Sequence, residues 1–274
     1  MVSEVVLEWS QDRPGGPAIA LFDSGVGGLS VLREVRALLP QHDMLYLADT
    51  AYCPYGPRPA AELRGRALAI GRWLSEQGAG LLVVACNAAS SAALELLRAE
   101  LPIPVVGMEP GLKPAAAATC SGHIGVLATS STLAGERFAA LVERHAGGVE
   151  LITQPCPELV TCVEAGDLDS PATRELVERY VVPLLARGVD VLVLGCTHYP
   201  FLRPLIAEIA GPDIAIVDTG PAVARQVTHV AALHGLPAGQ GRARFYTTGE
   251  VAVMAPVLRK LIGDPRAVVE PAEC

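Results

Sequence analysis

Residues 191–200 read Val-Leu-Val-Leu-Gly-Cys-Thr-His-Tyr-Pro, and this stretch indicates the fold. Its four aliphatic residues, followed by Gly195 and later by Pro200, are typical of a short strand that is buried on both faces, as in parallel sheets. A thiol, a hydroxyl and an imidazole then follow at the carboxyl end, where open α/β sheets place their ligand crevice. The same order occurs earlier, where the apolar residues 81–85 run into Cys86 and Asn87. Each of two predicted strands is therefore followed by a cysteine and then by a polar residue.

The predicted strands occur twice in the same order along the chain. The first set is predicted at residues 19–22, 44–48, 81–85 and 105–108, and the second at 124–128, 150–154, 191–194 and 214–217. Cys196 follows Cys86 by 110 positions (196 − 86), and Asp218 follows Glu109 by 109 positions (218 − 109). This spacing predicts an α/β fold of two similar doubly wound domains, related by pseudo-two-fold symmetry, with the active site in the cleft between them.

The C-terminal part of the chain has its own pattern of helix, strand and helix. A strand at residues 243–248 and the flanking helices are predicted to return and complete the first sheet, because connections in such folds are short and right-handed. The predicted division is an N-terminal extension at 1–17, a first domain at 18–112 plus 222–274, and a second domain at 113–221.

Composition limits the classes of partner. Lys and Arg number 21 against 29 Asp and Glu, so the net charge of −8 argues against nucleic acid or an anionic membrane surface and favours a small-molecule substrate. No run approaches the roughly 20 apolar residues that cross a bilayer, and residues 1–17 do not resemble a secretory signal. Seven cysteines without CxxC spacing indicate reduced thiols rather than disulfides or a zinc ribbon. We therefore expect a cytoplasmic protein with no metal site.

A glycine-rich turn follows the first predicted strand, at residues 23–30 (DSGVGGLS). Its glycines do not have the GxGxxG spacing of a dinucleotide site, so no nucleotide cofactor is expected. Asp23 either caps the following helix or faces the substrate, and both roles need its side chain at the strand's carboxyl end.

Two matched thiols favour one class of reaction. A cysteine that opens a helix has a lowered pKa, so it can act as a base or a nucleophile. If two such thiols face each other across a cleft, one removes a proton from carbon and the other delivers a proton to the opposite face, which inverts the centre. His198 either tunes Cys196 or is a structural histidine, and Glu164 by itself is typical of a solvated helix residue. Cys120, Cys156 and Cys162 are expected to be small buried hydrophobes.

Two other classes of protein share parts of this pattern. A two-lobed binding protein closes on its ligand without chemistry, and a Cys/His hydrolase needs one nucleophilic thiol. Neither needs two thiols at equivalent positions, so the duplication favours proton transfer on both faces of a carbon.

Eight stretches together resemble the cofactor-independent glutamate racemases of the aspartate/glutamate racemase superfamily. They are FDSGVGGLSVL, DTAYCPYG, VVACNAAS, GMEPG, GVLATSSTL, CPELVTCVEAG, LGCTHYPFL and FYTTG, in chain order between Ile19 and about Gly263. The resemblance implies two α/β domains, no cofactor, glutamate as substrate, a homodimer, and supply of D-glutamate for peptidoglycan.

The resemblance also implies which residues act. The implied catalytic residues are Cys86, Cys196, Asp23, Glu164 and His198. The implied substrate-binding residues are Asp23, Ser24, Pro54, Tyr55, Gly56, Asn87, Ala88, Thr129, Thr132, Thr197 and His198.

Ala88 departs from the family pattern, which has threonine after Cys-Asn. The loss of one hydrogen bond to a charged substrate group costs about 1.5–3 kcal/mol unless water or Ser90 replaces it. Another acidic amino acid such as aspartate is therefore an alternative substrate. Superfamily members that decarboxylate malonates keep one of the two thiols, whereas this chain keeps both, which favours racemisation.

Overall fold

The computed structural model describes residues 16–274, which contain two parallel β-sheets covered by helices. The strands are β1 (Ala18–Asp23), β2 (Met44–Ala48), β3 (Ala79–Val84), β4 (Val105–Val106), β5 (His123–Ala128), β6 (Glu150–Pro155), β7 (Val191–Gly195), β8 (Ala215–Asp218), β9 (Ala243–Thr247) and β10 (Val269–Pro271). The helices are α1 (Leu29–Leu38), α2 (Ala60–Glu76), α3 (Asn87–Glu100), α4 (Leu112–Ala118), α5 (Ser130–Leu133), α6 (Glu136–His145), α7 (Pro157–Glu164), α8 (Pro171–Leu185), α9 (Arg203–Ala210), α10 (Gly220–Leu233) and α11 (Val251–Ile262).

The two sheets share one strand order. The first sheet runs β10-β9-β2-β1-β3-β4 and the second runs β6-β5-β7-β8, with every neighbouring pair parallel. The order β2-β1-β3-β4 in the first sheet is therefore repeated by β6-β5-β7-β8 in the second. The α/β class with two similar units, predicted from the repeated strand pattern, is confirmed.

Helices on both faces of the sheets explain why the central strands are apolar throughout. Every residue of β1, β2 and β7 is buried, as expected for strands between two helical layers. Each aliphatic side chain fully buried there contributes about 1.5–3 kcal/mol. Gly195 is the last residue of β7, and glycine is needed there because a Cβ would lie 2.9 Å from the Cβ of Ala128 on the neighbouring strand β5.

The fourth strand is shorter than predicted. We expected residues 105–108 to be extended, but β4 pairs with β3 only through Val105 and Val106. The backbone N–H of Met108 donates to Ser90 Oγ instead of to a strand. Gly107 lies so close to α3 that a Cβ there would be 2.4 Å from Leu94 Cδ2. The chain therefore leaves the sheet to pack against this helix.

The C-terminal tail extends the first sheet, as predicted. Strand β9 pairs with β2, and β10 pairs with β9 at the sheet edge. Strand β10 was missed because three residues ending in Pro271 give no alternating or apolar run. The predicted domain limits remain predictions, and the predicted extension lies outside the described residues except for 16 and 17.

The prediction that Cys120, Cys156 and Cys162 are all buried was partly wrong. Cys156 is buried as expected, but Cys162 is only partly buried and Cys120 is exposed. Cys120 lies in the turn after α4, where the backbone amides of Cys120 and Ser121 donate to Asp190. Cys120 is therefore exposed at the surface instead of packed in an apolar layer. A cysteine between two polar residues in a turn is a poor candidate for a core position.

Candidate active site

The carboxyl ends of β1, β3 and β7 lie around one small cavity of about 20 Å³. Its lining comes from both sheets: Ser24, Pro54, Tyr55, Gly56, Cys86, Asn87, Ala88, Thr129, Thr132, Val160, Cys196, Thr197 and His198. Both thiols that end equivalent strands therefore face the same space. Of the residues predicted to bind substrate, every one except Asp23 lines this cavity.

Asp23 lies beneath the cavity and is fully buried. Its Oδ2 accepts hydrogen bonds from the Gly28 amide at 2.6 Å and from Thr197 Oγ1 at 3.1 Å. The Ser24 amide donates to Oδ1 at 2.6 Å. Burial raises the pKa of Asp23, and the positive charge of His198 opposes that rise. Asp23 thus accepts hydrogen bonds from the glycine-rich turn and links this turn to Thr197 after β7, while its role towards the substrate stays a prediction.

Cys86 is the residue immediately before α3, so its thiol lies at a helix amino terminus. Burial and the neighbouring charge of Asp23 raise the pKa of Cys86 well above its usual value, while the Ala89 amide works against this rise. The sequence expectation of a lowered pKa is therefore wrong for Cys86. Burial and a neighbouring carboxylate outweigh the helix terminus.

Cys196, His198 and Glu164 form a continuous chain of polar contacts. Cys196 Sγ lies 3.6 Å from His198 Nδ1, and His198 Nε2 lies 2.6 Å from Glu164 Oε1. Burial alone would lower the pKa of His198, but its contacts with Cys196 and Glu164 raise the pKa well above the ordinary value. Burial would raise the pKa of Glu164, yet the bond to His198 keeps that pKa lowered. The pair is therefore charged, and Glu164 is not the solvated helix residue that local sequence suggests.

The glycine-rich turn touches this chain of contacts, which explains its composition. A Cβ on Gly27 would lie 2.4 Å from His198 Nδ1, and a Cβ on Gly25 would lie 1.9 Å from Glu164 Oε1. The backbone amide of Val26 donates to Glu164 Oε1 at 2.8 Å. Glycine is thus required for the close approach of the first sheet to the second rather than for a phosphate.

Asn87 is the polar residue of the cavity that still lacks a partner. Both polar atoms of its side chain are buried, and neither has a hydrogen-bond partner within the described residues. An unsatisfied buried polar group costs about 1–3 kcal/mol, so this amide fits a ligand that hydrogen-bonds to it.

Ala88 lines the cavity, and the nearby Ser90 does not replace the missing hydroxyl. Ser90 Oγ donates to the Val84 carbonyl at 3.1 Å and accepts the Met108 amide at 3.1 Å. Ser90 is fully buried and lies outside the cavity lining. The departure at Ala88 is therefore not compensated by that neighbour.

Hydroxyl groups from both halves of the fold form part of the cavity wall. Thr129 caps α5, and its Oγ1 lies 3.0 Å from Thr132 Oγ1. On the opposite side, the Tyr55 hydroxyl donates to Asp49 Oδ2 at 2.5 Å. These groups place several hydrogen-bonding atoms around the two thiols.

Several residues that shape the site were not predicted from the sequence. They are Asp49, Cys53, Arg66 and Val160. Asp49 is fully buried and is paired with Arg66 at 2.7 Å, seventeen residues later on α2. A buried acid directly after a strand end was the available signal for Asp49, but no spacing pattern identifies its partner.

A larger cavity, of about 560 Å³, lies elsewhere between α3, α6 and α10. No cysteine lines it, so its volume does not make it the reactive site. The pair of thiols makes the smaller cavity the candidate active site.

No helix among residues 16–274 is both long enough and apolar enough to span a membrane.

Comparison with known proteins identifies the family. The family model for Asp/Glu/hydantoin racemases matches residues 29–227. The chain is 52% identical over 253 residues to the glutamate racemase of Ectopseudomonas mendocina, covering 91% of this chain and 96% of that protein.

Solved structures agree with this assignment. The Bacillus anthracis glutamate racemase superposes with a TM-score of 0.84 at 31% identity, covering 94% of this chain and 97% of that one. The Escherichia coli glutamate racemase, determined with L-glutamate and the activator UDP-MurNAc-ala, has a TM-score of 0.82 at 32% identity, covering 93% and 98%. The chain therefore belongs to the glutamate racemases of the Asp/Glu/hydantoin racemase family.

Proposed function

We propose that this protein interconverts L-glutamate and D-glutamate without a cofactor, with Cys86 and Cys196 as the two acid/base groups. The observation that carries the proposal is that thiols from equivalent strand ends of the two sheets line one cavity. The relatives named as glutamate racemases support the choice of glutamate.

Each thiol serves one face of the α-carbon. By the family resemblance, Cys86 removes the proton from D-glutamate and Cys196 removes it from L-glutamate, while the opposite thiol donates. The raised pKa of Cys86, which burial and the charge of Asp23 cause, suits a proton donor. An entering α-ammonium group would bring positive charge near Cys86 and Asp23 and so favour the thiolate when Cys86 acts as a base.

The other polar residues assist these steps. His198, held by Glu164, is placed to exchange a proton with Cys196 across 3.6 Å. Asp23 lies beside Cys86 and assists proton transfer there, as His198 does beside Cys196. The unpartnered amide of Asn87 and the hydroxyls of Thr129 and Thr132 bind the charged ends of the amino acid.

The proposed reaction requires the site to open for the substrate. A cavity of about 20 Å³ accommodates about one water molecule, so glutamate enters only when the two sheets separate. The cleft then closes on the substrate and excludes water from the carbanion.

The proposal is tested by measuring racemisation of each enantiomer after exhaustive dialysis against a chelator, with no pyridoxal phosphate present. We expect undiminished activity, detected as loss of optical rotation. Activity that returned only after a metal or pyridoxal phosphate was added would contradict cofactor independence.

The missing hydroxyl at Ala88 favours a second candidate, racemisation of aspartate. If glutamate is the substrate and the lost hydrogen bond weakens its binding, Ala88→Thr should lower the KM for glutamate by up to about tenfold, equivalent to about 1.4 kcal/mol. The ratio of kcat/KM for glutamate to that for aspartate should rise in parallel. A wild-type protein that prefers aspartate, with a KM for glutamate unaffected by the variant, would favour the second candidate.

The biological setting follows from the proposed reaction. We propose a cytoplasmic homodimer that supplies D-glutamate for peptidoglycan. The resemblance to the family supports this setting, and light scattering of the purified protein tests the dimer.

A further inference from the structure

A third thiol, which the proposed proton transfers do not use, lies beside the pair formed by His198 and Glu164. Cys53 follows the short 3₁₀ turn Thr50–Tyr52, in the loop that supplies Pro54 to the catalytic cavity. Cys53 Sγ, a carboxylate oxygen of Glu164 and a ring nitrogen of His198 all lie within 4.8 Å of one another.

These three groups come from three separate parts of the chain and meet in a partly buried position. Cys53 is supplied by the loop after β2, Glu164 by the last turn of α7, and His198 by the segment after β7. His198 is 1% exposed, and Cys53 and Glu164 are partly buried. Because both halves of the fold contribute, the distances between the three groups depend on how the two sheets are placed relative to each other.

The donor set matches the chemistry of a thiophilic divalent cation. Thiolate sulfur, imidazole nitrogen and carboxylate oxygen are the three donor types that Zn²⁺ takes in proteins, at about 2.3, 2.0–2.1 and 2.0–2.2 Å. A thiolate and a carboxylate together carry two negative charges, so they neutralise a divalent ion in partly buried surroundings.

An open route leads to this cluster. A cavity of about 480 Å³, which shares only Pro54 and Val160 with the small catalytic cavity, is lined by Cys53 and Glu164 together with residues at the start of α11. The cation can therefore enter from this side, and water from the cavity can fill its fourth coordination position.

We infer that Cys53, Glu164 and His198 form a site for Zn²⁺ or a similar thiophilic cation, and that its occupation inhibits the enzyme. A cation held by the imidazole and the Glu164 carboxylate would separate the two groups that now lie 2.6 Å apart. The metal would take Nε2, which faces Glu164, so the ring could no longer alternate between imidazole and imidazolium and could no longer accept a proton from Cys196 at Nδ1. The inhibitory step rests on the proposed function, whereas binding does not.

Binding is tested directly by equilibrium dialysis of the full chain against Zn²⁺, and by the near-ultraviolet thiolate-to-metal charge-transfer band with Co²⁺. We expect each chain to bind one Zn²⁺ ion at a site that requires Cys53. Cys53→Val and Cys53→Ala remove one of three ligands, so affinity for Zn²⁺ should fall at least about tenfold. Cys120→Ser removes an exposed thiol from a different part of the chain and should leave affinity unchanged.

Activity is measured in the same preparations, as the ratio of rates with and without Zn²⁺, which separates inhibition from any effect of the variant alone. We expect zinc to inhibit the wild-type protein and Cys120→Ser, chelator to reverse the inhibition, and both Cys53 variants to resist it. Zinc binding and inhibition that are equally strong in folded Cys53 variants would overturn the inference. A different result is that the protein binds Zn²⁺ through Cys53 but has no racemase activity. This result would support the metal site and contradict the proposed function.

Discussion

At the scale of single residues, the pair of His198 and Glu164 sets the protonation state beside Cys196. The pKa of His198 is raised by its contacts with Cys196 and Glu164 against the effect of burial, and the pKa of Glu164 is lowered by the same pair. The stabilisation from His198 is present below its unfolded-state pKa and is lost as pH rises through the raised folded value. The stabilisation from Glu164 is present above its unfolded-state pKa and is lost as pH falls through the lowered folded value.

These two directions define a pH window. Glu164→Gln should reduce the free energy of unfolding most between pH 4.5 and pH 6.5, the ordinary pKa values of the two groups. The difference from wild type should shrink at higher pH, once His198 loses its proton. Denaturant titrations across pH measure this, and NMR of the imidazole should show a lowered pKa of His198 in the variant. An unchanged imidazole pKa would contradict the pairing.

The closeness of Gly27 to His198 gives a second prediction at this scale. Gly27→Ala would place a Cβ 2.4 Å from His198 Nδ1, so the ring or the turn must move. We expect racemisation to fall by about a hundredfold or more, because a misplacement of about 1 Å in a catalytic site has that effect. Circular dichroism checks that the variant remains folded.

Gly65 provides the matched control for this substitution. It lies inside α2, and a Cβ there would meet nothing within 4 Å. Gly65→Ala should leave kcat unchanged and should raise stability by about 0.5–1 kcal/mol, because alanine favours the helix. Equal losses of activity in the two variants would contradict the role given to Gly27.

At the scale of elements, helix α2 holds the loop that carries Tyr55. Arg66 on α2 pairs with the buried Asp49 at 2.7 Å, and Asp49 in turn accepts the hydroxyl of Tyr55. Arg66 also donates to the backbone carbonyl of Cys274, at the C-terminus of the chain. The loop next to the thiols is thus fixed to α2 and to the last residue of the chain.

Arg66→Met should therefore destabilise the protein and weaken substrate binding together. Removing one partner of a buried ion pair costs about 3–5 kcal/mol, because the charge of Asp49 is left uncompensated. We expect the KM for glutamate to rise as Tyr55 loses its fixed acceptor, while kcat changes less. Urea titration and steady-state kinetics measure both effects.

The exposed ion pair of Arg72 with Glu100 is the control on the same helix. Arg72→Met should change the free energy of unfolding by no more than about 0.5 kcal/mol, since both partners are in contact with solvent. If both variants had the same small effect, Asp49 and Arg66 would have no positioning role.

The sequence was sufficient for those elements whose pattern is local. Strands β1, β2 and β7 are uninterrupted apolar runs with a polar residue at the carboxyl end, so both their burial and the position of the site follow from hydropathy. Strand β10 and the early end of β4 depend on contacts with residues far away in the chain, including the bond between Met108 and Ser90. The pairings of Asp49 with Arg66 and of Gly27 with His198 are of the same long-range kind, and no local pattern identifies them.

At the scale of the whole molecule, the internal repeat explains the chemistry. Strands β3 and β7 occupy equivalent positions in two sheets with the same order, and each delivers a cysteine to the shared cavity. The networks behind the two thiols nevertheless differ. Cys86 has the carboxylate Asp23 beside it, whereas Cys196 has the imidazole His198. In the proposed mechanism, similar thiols with different partners therefore serve the two faces of the substrate.

Isotope incorporation tests the central claim of one thiol for each face most directly. In deuterated water, the product formed early from one enantiomer should carry deuterium at the α-carbon, while the recovered substrate stays largely unlabelled, because different groups remove and deliver the proton. Cys86→Ser and Cys196→Ser should each reduce racemisation severely and should retain slow α-proton exchange with only one enantiomer, L-glutamate for Cys86→Ser and D-glutamate for Cys196→Ser. Product that kept the original proton, or near-wild-type racemisation by both serine variants, would contradict the two-thiol account.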